Sequence, residues 1–96
     1  MTSKQRAYLI HLASDLDPVL QIGKSSVTPE FVEAVSEAFN RRELIKISVL
    51  NNCLDDPKEL AYTVAGRTRS QVVQVIGKKI VLYKENKDNK KIMLPL

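Results

Sequence analysis

The sequence predicts an α/β (α+β) fold: a single compact domain with the element order α-β-α-β-α-β-β and a mixed four-stranded sheet. Three observations carry this expectation. Two strand-like apolar runs are each followed by a capped helical pattern, the chain closes on two apolar runs split by a glycine turn, and 96 residues suit one core. The two β-α-β passages imply parallel, right-handed crossovers, and the closing hairpin adds an antiparallel strand. Residues 1–96 therefore read as one domain, with 86–96 a C-terminal extension free to be flexible.

Ser3 as N-cap, followed by Ala7, Ile10, Ala13 and Leu16, predicts an amphipathic helix of about a dozen residues, which Asp17-Pro18 stops. Val19-Leu20-Gln21-Ile22 reads as a short buried strand delivering the chain into a loop, Gly23-Lys24-Ser25-Ser26. Thr28 then caps a second helix with Pro29 at its first position, where a missing N–H costs nothing. Phe31, Val35, Ala38 and Phe39 share its inner face, while Glu30, Glu33, Glu37 and Arg41 make the outer face mainly negative. That outer face would repel a phosphate backbone, whereas the positive end of the helix dipole favours an anion at the Lys24 loop.

Leu44–Leu50 alternates Ile45, Ile47 and Val49 with Lys46 and Ser48, which predicts a strand with one well-buried face. Asp56-Pro57-Lys58-Glu59 forms a variant capping box, followed by Leu60, Ala61, Val64 and Ala65 as a buried stripe that fades between Gly66 and Ser70. Val72–Ile76 and Ile80–Tyr83, separated by Gly77-Lys78-Lys79, predict a hairpin. Strand order does not follow from any of these patterns.

The formal net charge is +4, from 15 Lys+Arg against 11 Asp+Glu. Its distribution is uneven: residues 1–77 balance, and the excess lies in 78–91, where Lys78, Lys79, Lys84, Lys87, Lys90 and Lys91 face only Glu85 and Asp88. An anionic partner is one reading and a solvated tail the other. Cys53 alone forms neither an internal disulfide nor a zinc half-site. No run approaches the roughly 18 apolar residues of a membrane span, and Met1–Arg6 lacks the apolar region of a secretion signal, so a cytoplasmic protein without a membrane partner is expected.

The catalytic inventory is poor. His11 is the lone histidine, Asp55 and Asp56 are explained by turn and cap chemistry, and no serine or cysteine sits in a nucleophile motif. Gly23-Lys24-Ser25 imitates the end of a phosphate-binding P-loop, but Pro18 stands where the first glycine must be. No enzyme activity and no cofactor are expected. What remains is a set of cations and small polar groups at element ends: Gly23, Lys24, Ser25 and Ser26, then Arg41 and Arg42, then Arg67 and Arg69, with Lys78 and Lys79 at the hairpin turn. Phosphate recognition uses such groups, because Lys and Arg neutralise charge while small loop residues let backbone N–H groups reach the oxygens. Phe31 and Phe39 lie on a core stripe and Tyr8, Tyr62 and Tyr83 are dispersed, so the stacking platforms of single-strand readers are nearly absent.

Pro18-Val19-Leu20-Gln21-Ile22-Gly23-Lys24, Arg42-Glu43-Leu44-Ile45-Lys46-Ile47 and Gln74-Val75-Ile76-Gly77-Lys78-Lys79-Ile80-Val81-Leu82-Tyr83-Lys84, with Lys4-Gln5-Arg6 opening a helix, resemble the YhbY family. These are stand-alone bacterial members of the CRM domain, named for chloroplast RNA splicing and ribosome maturation. The resemblance runs in order over essentially the whole chain. It implies a fold similar to the C-terminal domain of translation initiation factor three, RNA binding, and association with ribosomal RNA in precursors of the large subunit. It also implies a role for the first loop, where the family carries a G-x-x-G element. Here Gly23, Lys24 and Ser25 match, and Ser26 replaces the second glycine. The expectation is an RNA-binding monomer that grips ribosomal RNA through residues 23–26 and the neighbouring cations, with no DNA partner. The other reading is a protein–protein adaptor that docks on assembling ribosomes through ribosomal proteins.

Overall fold

A computed structural model describes residues 1–96. Its elements are α1 (Ser3–Ala13), β1 (Leu20–Ile22), α2 (Pro29–Arg41), β2 (Leu44–Val49), α3 (Pro57–Thr68), β3 (Gln71–Ile76) and β4 (Lys79–Tyr83). This is the expected order, in one domain. Thr28 and Asp56 cap α2 and α3, their side chains accepting from the N–H groups of Phe31 and Lys58, but Glu59 accepts nothing from the Asp56 N–H, so the expected variant capping box is corrected to a single cap.

The first helix differs in detail. Its cap is Thr2 rather than Ser3, and Thr2 and Gln5 exchange the two bonds of a full capping box. Leu9 and Ala13 are its buried residues, whereas Ala7 and Leu16 are exposed. Steps of three drift by about 60° each around a helix of 3.6 residues per turn, so the 7-10-13-16 series cannot stay on one face. The i, i+4 pair can.

The sheet order is β1-β2-β4-β3. β1 runs parallel to β2, with Leu20 opposite Ile47, and β4 is antiparallel to both β2 and β3. β3 is thus parallel to β2, as the second crossover demands, but the hairpin places β4 between them. The reason is burial. Ile80, Val81, Leu82 and Tyr83 are all buried, which suits a strand covered on both faces, while β3 is only half-buried and suits an edge. Gly77 takes a φ of 55° at the first position of the two-residue turn, where a II′ hairpin needs glycine.

The core has two parts. On one face Ile45, Ile47, Val49, Ile80 and Leu82 pack under α2 and α3; on the other, Leu44, Val81, Tyr83 and Val73 pack under Leu9 and Ala13 of α1, with Ile92 and Leu94 beside them. The single buried face expected for β2 is therefore corrected to two. A register shift between Val72 and Gln74 turns both Val73 and Gln74 toward α1, which buries Val73 and leaves Gln74 half-buried.

One charged side chain lies inside. Glu43 is only 1% exposed, and its carboxylate accepts three backbone N–H bonds from the C-terminal segment: Asn86 to Oε2 at 2.8 Å, and Lys91 and Ile92 to Oε1 at 2.7 Å each. The segment 84–96 has no regular secondary structure, yet Lys91 Nζ also donates to the Arg41 carbonyl at 2.8 Å and Gln5 Nε2 to the Pro95 carbonyl at 3.0 Å. Burial alone would raise the Glu43 pKa, but the three N–H donors and the nearby Lys90 outweigh it and hold the carboxyl below its ordinary 4.5. A group with a lowered folded-state pKa contributes stability that is full above the unfolded value and is lost as pH falls through the folded one. Glu43→Gln should therefore cost about 2–3 kcal/mol at neutral pH and remove part of the loss of wild-type stability below about pH 4.5, read by urea denaturation across pH. An unchanged midpoint at neutral pH would exclude the anchor.

Candidate nucleic-acid interface

β1 delivers Gly23 to the end of the sheet where β2 also finishes, since Leu50 N–H donates to the Ile22 carbonyl at 2.8 Å. There the chain turns tightly. Ser26 N–H donates to the Gly23 carbonyl at 3.0 Å, leaving Lys24 and Ser25 exposed at the tip. Ser26 closes the turn with a φ of 57°, the left-handed conformation that glycine would adopt freely. The hairpin turn arrives at the same end, because Val49 N–H donates to the Lys78 carbonyl at 2.8 Å. The N-termini of α2 and α3 start here too, so their free N–H groups and positive dipole ends border the loop.

The interior does not explain a glycine at position 23. A Cβ there would stand 3.6 Å from Asn52 Oδ1 and 3.7 Å from Leu50 Cδ1, which is ordinary contact. Ser26 and Val27 also line an open groove of about 270 Å³ with Glu59, Thr63 and Arg67 of α3. Arg67 is therefore brought to the loop's surroundings, and Arg69 follows as the left-handed cap of α3 with a φ of 58°.

Arg41 and Arg42 are placed elsewhere. They end the helix that the loop begins, so the 13 residues of α2 separate them from Lys24 by about 20 Å. They line a second open groove of about 520 Å³ with Val19, Leu20 and Glu37, near the tail segment whose Lys91 caps the Arg41 carbonyl. Lys79 is turned to the α1 face of the sheet, its Nζ donating to Ser48 Oγ at 3.2 Å. The cations expected to gather around one loop are thus divided between two ends of the molecule: Lys24 and Lys78 at one, Arg41 and Arg42 at the other. The length of α2, legible in the sequence, already requires this division. Sequence reading takes Glu59 only as a capping residue and passes over Thr63, although their spacing from Arg67 puts all three on one stripe of α3.

The only ion pair is Lys90 to Glu85 at 3.5 Å, on the surface. Lys24, Arg41, Arg42, Arg67, Arg69, Lys78 and Lys79 consequently have no carboxylate within 4.0 Å, and their charges remain available to an outside anion.

A family model for the CRS1/YhbY (CRM) domain matches residues 1–84. The chain belongs to this family. It is 46% identical over 95 residues to the Bacillus subtilis protein named "Probable RNA-binding protein YqeI", covering 99% of each chain. It is 30% identical over 95 residues to a Haemophilus influenzae protein named "RNA-binding protein", covering 99% of this chain and 95% of that one. Among solved structures it is similar to the Staphylococcus aureus protein SAV1595, described as a candidate RNA-binding protein, with a TM-score of 0.84, 48% identity and 99% of each chain covered. The fold shared with that relative is a three-helix, four-stranded α+β domain.

The turn at Ser26 stores strain that can be measured. A non-glycine residue in the left-handed region costs roughly 1–2 kcal/mol, part of which glycine returns through the flexibility it adds to the unfolded chain. Ser26→Gly should stabilise the protein by about 0.5–1 kcal/mol net in thermal or urea unfolding. A loss of stability of similar size would show that the serine side chain contributes more than its backbone costs.

Proposed function

We propose that this protein binds RNA without catalysing a reaction on it, that its RNA is ribosomal RNA in precursors of the large subunit, and that it assists assembly there as a cytoplasmic monomer. The observation that carries the binding reading is the Gly23–Ser26 turn, held in the glycine conformation at Ser26, beside two helix N-termini and the unpaired cations Lys24 and Lys78. The names of the relatives support the same chemistry. Association with the large subunit and the grip through the G-x-x-G-like loop rest on the family resemblance of the sequence segments quoted above.

In this reading a backbone phosphate lies against the turn, where bare Gly23 leaves room and Lys24 supplies charge. Arg67 and Lys78 flank it, and Arg69 extends the surface past the end of α3. The outer face of α2, with Glu30, Glu33 and Glu37, turns the RNA away from that side. Arg41, Arg42 and the tail lysines then form a separate basic end that attracts the same polyanion at longer range.

Neutralising about four phosphates predicts a log–log salt slope of roughly −3 on single strands. Lys24→Glu with Lys78→Glu should weaken binding to ribosomal RNA and flatten the slope by about one for each phosphate no longer neutralised. Arg42→Glu should lower affinity less. Equal affinity and slope in a folded Lys24→Glu, Lys78→Glu variant would overturn the loop as the grip.

The adaptor reading draws on one observation, the 96% exposure of Leu54 in the turn between β2 and α3. Pull-down from nuclease-treated, ribosome-free extract separates the readings: loss of every partner favours RNA, and retention of a ribosomal protein that Leu54→Ser releases favours the adaptor.

A further inference from the structure

α3 presents an unusual solvent face. Its inner residues Leu60, Ala61, Val64, Ala65 and Thr68 are buried, and on the outer side Tyr62 is 60% exposed with Gly66 one turn further on. Gly66 lies in the last turn of α3, before its left-handed cap, and a Cβ built there meets nothing within 4 Å. Glycine at an exposed helical position destabilises a helix by about 1 kcal/mol relative to alanine, and no packing within the fold explains that cost. Helical side chains lean toward the N-terminus, so the Tyr62 ring inclines toward Lys58 and leaves the backbone at Gly66 uncovered. The result is an exposed aromatic ring with a bare step behind it.

The surrounding charge selects the occupant. With its caps, the solvent side of α3 carries Lys58, Arg67 and Arg69 against Asp56 and Glu59, whereas that of α2 carries Arg41 and Arg42 against Glu30, Glu33 and Glu37. An aromatic ring one turn from Lys58, on a helix whose exposed charge is net positive, suits a flat, electron-rich group attached to a polyanion. Arg67 connects this face to the groove at Ser26.

We infer that Tyr62 is a stacking platform for one unpaired RNA base, seated over the bare backbone of Gly66 while the phosphates run along Lys58, Arg67 and Arg69. This rests on the reading of the protein as RNA-binding and adds a base-contacting position to its backbone grip. It also revises the expectation that the dispersed tyrosines offer no platform. Stacking of this kind tolerates any base, because every base has a π face.

The test uses the full chain with an RNA stem carrying a loop of unpaired bases, and the same stem closed as a blunt duplex. Tyr62→Ala should weaken stem–loop binding by roughly tenfold and abolish the preference over the duplex, while Tyr62→Phe binds as wild type. Gly66→Ala should raise the thermal midpoint by roughly 4–8 °C yet weaken stem–loop binding, an opposition that a purely structural glycine does not produce. The protein has three tyrosines and no tryptophan, and Tyr83 is buried, so stacking should quench a tyrosine emission that Tyr62→Phe removes. Unchanged affinity and quenching in Tyr62→Ala, with Lys24→Glu still weakening binding, overturns the platform and leaves the backbone grip standing. Failure of the wild type to bind either RNA overturns both.

Discussion

The buried carboxylate of Glu43 is the interaction on which one whole side of the molecule depends. A charge this far from water is tolerated only when hydrogen bonds replace its hydration, and three backbone N–H groups do so. Those donors come from a segment with no helix or strand of its own to order it. By fixing Asn86, Lys91 and Ile92 the carboxylate sets Ile92 and Leu94 beside α1 and brings Lys91 onto the last turn of α2. Its negative charge also reaches Tyr83, where burial first, then Glu43 and Glu85, push the phenol above its ordinary 10.0 and keep it neutral. Within the Arg42–Ile47 segment, then, the acidic residue serves the fold and the cation before it faces solvent.

The placement of β4 has comparable reach. A strand buried on both faces belongs in the middle, and putting it there makes the hairpin turn finish beside the end of β2. β1 finishes at the same end because it runs parallel to β2. Three backbone turns and two helix N-termini therefore converge without any one of them being specialised to do so. Arg41 and Arg42, carried on the opposite end of α2, are removed from that place by the same geometry.

Much of this is legible in the residues. Thr28-Pro29 and Asp56-Pro57 mark both later helix starts because cap chemistry is local, and Gly77 marks its turn because few residues tolerate positive φ there. Strand order is not legible by pattern matching, since it depends on a comparison of burial between β3 and β4 that only a third dimension decides. The cap of the first helix is ambiguous in sequence because Thr2 and Ser3 are both competent, and only Gln5 three residues after Thr2 distinguishes them. For the candidate site, loop chemistry can be read, but its assembly cannot: Arg41 follows the loop in sequence yet lies a helix length away, while Arg67 is distant in sequence and shares a groove with Ser26.

Besides Arg69, the left-handed cap of α3, two backbone positions are each occupied by the residue that stability would not choose. Ser26 holds a left-handed conformation that glycine would hold more easily, and Gly66 holds a helical one that alanine would hold better. Core packing explains neither, since a Cβ on Gly66 touches nothing and Ser26 is at the rim of the sheet. Ser26 lines the groove that α3 shares with the first loop, and Gly66 lies on the exposed side of the last turn of α3. Costs of this size persist in a domain whose total stability is on the order of 10 kcal/mol only where something outside the stability of the isolated fold offsets them. At Ser26 a hydroxyl is gained beside a backbone turn, and at Gly66 a side chain is removed from the path of a neighbour. Both changes alter what can approach the surface, and they do so next to unpaired cations, which is the arrangement a polyanion with exposed bases would use.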